Sequence, residues 1–136
     1  MYLRQKRFNM KNEKISISPS EWEVIEVLWE QSPLSASEIF EALKDQTTWN
    51  NRTVRTFLDR LEQKKAIAKD KKHGVNIYTP LLKREQCLRK ESRSFLDRFF
   101  SGNPVSMMTH FIEKENLSNE QIEKLQKLLE SKQQKK

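Results

Sequence analysis

The chain has 136 residues, 35% hydrophobic and 33% charged, which leaves room for one ordinary domain or two very small ones and excludes a single large core. Three Trp and seven Phe exclude a featureless disordered polymer, and only two Gly and four Pro favour helices. One cysteine, Cys87, excludes an internal disulfide or a thiolate metal cluster, no apolar run approaches the roughly 20 residues of a membrane span, and the basic start MYLRQKRFNMKNEK lacks the apolar core of a secretory signal, so a cytoplasmic protein with no membrane partner is expected.

The net charge of +7 is unevenly placed. Residues 1–14 hold five basic side chains against one acidic, and residues 15–49 hold one basic against seven acidic. Residues 50–72 return to eight basic against three acidic, and residues 73–136 to twelve against eight. Clustered positive charge is the electrostatic footprint of a polyanion binder.

In chain order, residues 1–14 are expected to be a flexible basic extension. The first helix is signalled by SPSEWEVIEVLWE, where Ser18 caps, Pro19 takes the first helical position and Glu21 completes a capping box. Trp22, Ile25, Leu28 and Trp29 recur at helical spacing and face a core, while Glu23, Glu26 and Glu30 fall opposite. A second capping box, Ser35 with Glu38, opens a short helix that stops near Asp45 and buries Ile39, Phe40 and Leu43. Asn50 caps a third helix, NRTVRTFLDRLEQKK, with Val54, Leu58 and Leu61 on its inner side and Phe57 at the edge.

After Lys65 the period changes. AIAKD and VNIYTP read as two strands about the turn KKHG, with Ile67 as an apolar anchor and Gly74 supplying turn freedom. In the second strand Val75 and Ile77 alternate with Asn76 and Tyr78. Past Pro80 the chain is helical again. A rough stripe of Leu81, Cys87 or Leu88, Phe95 and Phe99 precedes the break SGNP, then come VSMMTHFIEKEN and a helix opened by Ser118 with Gln121. Residues 81–136 carry apolar stripes with little to bury them against, so a homodimer formed through residues 81–130 is expected.

The expected fold is mainly α with a small β-hairpin. An N-terminal winged helix-turn-helix spans residues 15–80, and a C-terminal helical dimerisation domain spans 81–136. The candidate binding residues sit on the outer side of the third helix and on the hairpin. Asn51, Arg52, Thr53, Arg55 and Thr56 collect without an acidic partner, and Arg and Thr suit base edges in a DNA major groove. Arg60 is a weaker candidate, because Asp59 and Glu62 lie near it in sequence. Lys71, Lys72 and His73, with Lys64, Lys65 and Lys69, suit the flanking phosphates. Trp49 suits either the sugar-phosphate backbone or a plug in the core. With two histidines, two glycines and no metal-ligand cluster, no catalysis, cofactor or metal site is expected, Met107, Met108 and His110 included. The competing reading is a winged-helix protein–protein interaction module, which calls for an apolar or mixed outer face on the third helix rather than an Arg/Thr one.

The segments SISPSEWEVIEVLWEQSPLSASEIFEAL, WNNRTVRTFLDRLEQKKAI and FIEKENLSNEQIEKLQKLL resemble the BlaI/MecI/CopY family of bacterial repressors, closest to its penicillinase and methicillin-resistance branch. The resemblance covers residues 15–130. It implies a dimeric repressor on palindromic operator DNA with TACA/TGTA half-sites, and Arg52, Thr53, Arg55 and Thr56 match the family's recognition-helix positions. It also implies a regulatory protease as a partner, cutting at an Asn–Phe bond whose matching position here is His110–Phe111. The paired Cys-x-Cys of the copper-sensing branch is missing from the end SKQQKK.

Overall fold

The computed structural model describes residues 16–134, so the basic extension expected at 1–14 lies outside the described residues. Helix α1 (Pro19–Glu30) starts as its sequence demands. The Glu21 N–H donates to Ser18 Oγ at 3.2 Å, and the Ser18 N–H donates to Glu21 Oε1 at 3.1 Å. After the two-residue strand β1 (Leu34–Ser35) the same reciprocal cap opens α2 (Ala36–Leu43), with Ser35 and Glu38 at 3.2 and 2.9 Å. Asn50 caps α3 (Asn51–Gln63), its Oδ1 accepting the Thr53 N–H at 2.9 Å. Each cap satisfies N–H groups that a helix start leaves without acceptors.

The inner faces of these three helices supply one core. Val24, Ile25, Leu28, Ile39, Leu43, Val54, Leu58 and Leu61 are buried, with Trp22, Trp29, Phe40, Trp49 and Phe57 packed at its edge. Helix α2 ends at Leu43, two residues before the expected stop at Asp45.

Helix α3 ends in a Schellman motif. The Ala66 N–H donates to Leu61 O and the Lys65 N–H to Glu62 O, both at 2.9 Å. Lys65 takes φ +62°, the left-handed conformation that such an ending requires. Strands β2 (Ile67–Lys72) and β3 (Val75–Pro80) follow as an antiparallel hairpin. His73 and Gly74 form its tip at φ +53° and +79°, the pair of positive values that a two-residue type I′ turn needs. The first strand runs two residues beyond AIAKD, to Lys72, so the turn is tighter than KKHG, while the second strand is VNIYTP as expected.

β1 adds the third strand of a sheet ordered β1-β3-β2, pairing Leu34 with Tyr78 and Ser35 with Ile77. Two residues are too few for a periodic signal, so the sequence alone does not announce this strand. Alternation in β3 is observed, but the core takes the face of Tyr78, which is buried, while Val75 is exposed. The pairings explain it. Tyr78 stands opposite both Leu34 and Lys69, on the side carrying buried Leu34 and Ile67, whereas Val75 stands opposite Lys72 beside the projecting tip.

Past Pro80 the chain remains tied to this unit. Leu82 O accepts the Trp29 indole N–H at 2.8 Å, and Cys87 is buried in the same core. The contact boundary between the two compact units falls between Glu91 and Ser92, inside α4 (Arg84–Phe100), rather than at the Pro80–Leu81 step. The expected stripe also divides: Cys87 is buried, whereas Leu81, Leu88, Phe95 and Phe99 are exposed.

The second unit continues with α5 (Pro104–Lys114) and α6 (Asn119–Gln134). Asn103 Oδ1 caps α5 by accepting the N–H groups of Val105 and Ser106, and Ser118 with Gln121 caps α6 reciprocally. No residue of α5 or α6 is buried. Phe99, Val105, Ile112, Leu128 and Leu129 are each more than half exposed. Among the described residues no helix is long and apolar enough to cross a membrane.

Candidate nucleic-acid interface

With Val54, Leu58 and Leu61 held in the core, α3 turns Arg52, Arg55, Thr56 and Asp59 to solvent at the i, i+3, i+4, i+7 spacing of one helical face. Asn51 is exposed in the first turn. Arg52 and Arg55 form no ion pair among the described residues, so both guanidinium groups keep their donors for another partner. Asp59 is the acidic exception on this face.

The two threonines differ. Thr53 is half-buried and its hydroxyl bonds the cap Asn50 Oδ1 at 3.0 Å, which makes it first of all part of the helix start. Thr56 is exposed, and its hydroxyl donates back to Arg52 O at 3.0 Å, leaving its methyl and an oxygen lone pair outward. Arg60 pairs with neither Asp59 nor Glu62. Its guanidinium lies 5.8 Å from the centre of the Phe57 ring, and Phe57 meets Trp49 edge to face at 4.9 Å. Trp49 packs against the core, which favours the plug over a backbone contact.

Lys71, Lys72 and His73 are all exposed at the hairpin tip, and none of them forms an ion pair among the described residues. Two other cations of the expected phosphate set are engaged within the protein. Lys64 donates to the buried carboxylate of Glu21 and to Ser16 O at 2.7 Å, and Lys69 lies 3.5 Å from Glu62. Lys65 is exposed.

Between helix and hairpin lies an open cleft. Its walls are Arg55 and Asp59 of α3, Ser35 and Ser37 at the start of α2, and Lys69, Asn76 and Tyr78 of the sheet. Burial pushes the Tyr78 phenol above its ordinary range, as do Asp59 and Glu62, against the opposing pull of Lys69 and Arg55. The hydroxyl therefore keeps its proton at neutral pH. No single stretch of the sequence marks this cleft, since its walls come from elements far apart in the chain. The only local hint was an aromatic residue at an alternating position of a short strand.

In the second unit, His110 and Phe111 lie within α5, in an aromatic group with Phe95, Phe99 and Phe100. Phe111 stacks on Phe95 at 6.3 Å and His110 meets Phe100 at 5.7 Å. The peptide between His110 and Phe111 is helical backbone, so cleavage there requires local unwinding of α5.

A family model described as penicillinase repressor matches residues 17–131. The penicillinase repressor of Bacillus licheniformis is 37% identical over 114 residues, covering 84% of this chain and 89% of that protein. The methicillin resistance regulatory protein MecI of Staphylococcus aureus (strain N315) is 33% identical over 123 residues, 90% of this chain and all of that protein. Among solved structures, the YusO protein from Bacillus subtilis aligns over 98% of this chain and 88% of its own with a TM-score of 0.50 at 21% identity, a likeness of fold. The monomeric Bacillus licheniformis BlaI in complex with the blaP half-operator aligns over 51% of this chain and 84% of its own, at 35% identity and a TM-score of 0.46.

Proposed function

The chain belongs to the penicillinase repressor family and is a DNA-binding transcriptional repressor, and from that premise we propose that two copies grip one palindromic operator and block transcription by occupying it. The observation that carries the reading is the outward face of α3. Arg52 and Arg55 stand there without ion pairs among the described residues, beside Thr56 and Asn51, on a helix anchored by three core residues. Arg52 and Arg55 read base edges in the major groove, and Asn51 and Thr56 support them. Lys71, Lys72 and His73 at the wing tip fix register on the phosphates without reading sequence. Thr53 serves the helix start, and Arg60, stacked on Phe57, contributes charge at the edge.

The exposed apolar side chains of the second unit supply the dimer contact. Phe99, Val105, Ile112, Leu128 and Leu129 are costly to leave in water, and a second copy covers them. Two linked half-site contacts multiply their effect, so separating the copies collapses operator affinity. A protease acting at His110–Phe111 in α5 would do so by removing α6.

The test is binding to a TACA/TGTA palindrome and to a scrambled duplex of equal length at physiological salt. Preference for the palindrome, with two chains per duplex, is expected. Equal weak binding to both would overturn the operator reading and favour a protein-binding module.

A further inference from the structure

We propose that the cleft between α3 and the wing seats one backbone phosphate of the DNA strand that passes between recognition helix and wing, with the Tyr78 hydroxyl as its neutral donor; the proposal rests on the operator-binding reading above. Tyr78 is 4% exposed, yet its hydroxyl makes no hydrogen bond among the described residues while the side chain lines the cleft. A phenol so placed is an unspent donor, and burial keeps it protonated at neutral pH.

Position identifies the partner. Arg55 forms part of one wall, and Gly74 and Val75 of the wing tip form part of another. A duplex that receives Arg55 in its groove and the wing tip on its backbone must lay the intervening strand across this cleft. The start of α2, at Ser35 and Ser37, adds the positive end of a helix dipole. The charges also select against a free anion. The Asp59 carboxylate shares the cleft, and the Lys69 ammonium is already 3.5 Å from Glu62. A phosphate delivered by DNA held at many other points overcomes that repulsion, whereas a diffusing phosphate gains little.

The experiment compares the full chain with Tyr78→Phe on the palindrome and on the scrambled duplex. About a tenfold loss on both is expected, since a hydrogen bond to a charged group is removed. The ratio between the duplexes and the salt slope should stay unchanged, because a phenol displaces no counterion. Thermal melting checks that Tyr78→Phe is folded, and a methylphosphonate scan of the duplex tests the same contact from the DNA side. One position per half-site should weaken the full chain more than Tyr78→Phe. Wild-type affinity in folded Tyr78→Phe, or a loss confined to the palindrome, would overturn the proposal. So would inorganic phosphate competing better than chloride at equal ionic strength, which would mark a free-anion site. A full chain with no palindrome preference would refute the operator reading, while the scrambled duplex would still report on the cleft.

Discussion

Lys64, the C-cap of α3, donates its ammonium to Glu21, the buried carboxylate 43 positions earlier that also closes the N-terminal cap of α1. One carboxylate thus ties the start of the first helix to the end of α3. Glu21 is 2% exposed, so removing its cation strands a charge in the core. Lys64→Met should lower unfolding stability by about 3 kcal/mol, measured in urea. The folded fraction should keep the wild-type salt slope for DNA. A slope reduced by about one would instead place Lys64 on a phosphate.

Arg55 and Lys71 should separate base readout from backbone contact. Arg55→Ala should cost about 1–3 kcal/mol on the operator and relax preference at the position it reads. Lys71→Ala should weaken all duplexes alike and shallow the salt dependence by about one. Titrating both variants against operator and scrambled duplex at several salt concentrations is the check. Unchanged discrimination in Arg55→Ala would move the readout to another face.

Truncation distinguishes the two units. A chain ending at Glu91 keeps Leu82 and Cys87 and should fold as a monomer that binds half-sites weakly. A chain ending at Pro80 loses both residues and the acceptor of the Trp29 indole, and should be less stable by urea titration. In the full chain, Leu128→Glu should shift the sedimentation profile from dimer to monomer without lowering the melting of the first unit. A dimer that persists in Leu128→Glu would place the contact elsewhere.

Tyr78 sets an alkaline limit. Its phenol is pushed above the ordinary value, chiefly by burial, so the folded state holds the proton more tightly than the unfolded state. That stability is fully present below the ordinary tyrosine range and is lost as pH rises through the raised folded value. Urea midpoints between about pH 8 and 11.5 should therefore fall more steeply for the wild type than for Tyr78→Phe. Parallel curves would show that the phenolate is accommodated without penalty.

The helices were legible because their signals are local. Ser18 with Glu21, Ser35 with Glu38, Asn50, and Ser118 with Gln121 each announce a helix start within four residues, and all four form as read. The Arg/Thr face of α3 was legible for a related reason: once Val54, Leu58 and Leu61 are inside, helical geometry dictates what is left outside. β1 and the buried side of β3 were not legible, since pairing Leu34 with Tyr78 joins residues far apart in sequence.

Local signals along the chain fix the helix starts, the hairpin, the outward Arg/Thr face of α3 and, through resemblance, the family. Which basic residues remain available depends on contacts between segments distant in the chain. Lys64 and Lys69 read as equivalent to Lys71 in a linear count of charge, yet the first is bound by Glu21 and the second lies beside Glu62. Periodicity fixes the direction in which a side chain leaves its own backbone, whereas its partner is chosen by whichever distant segment the core brings within a few ångströms.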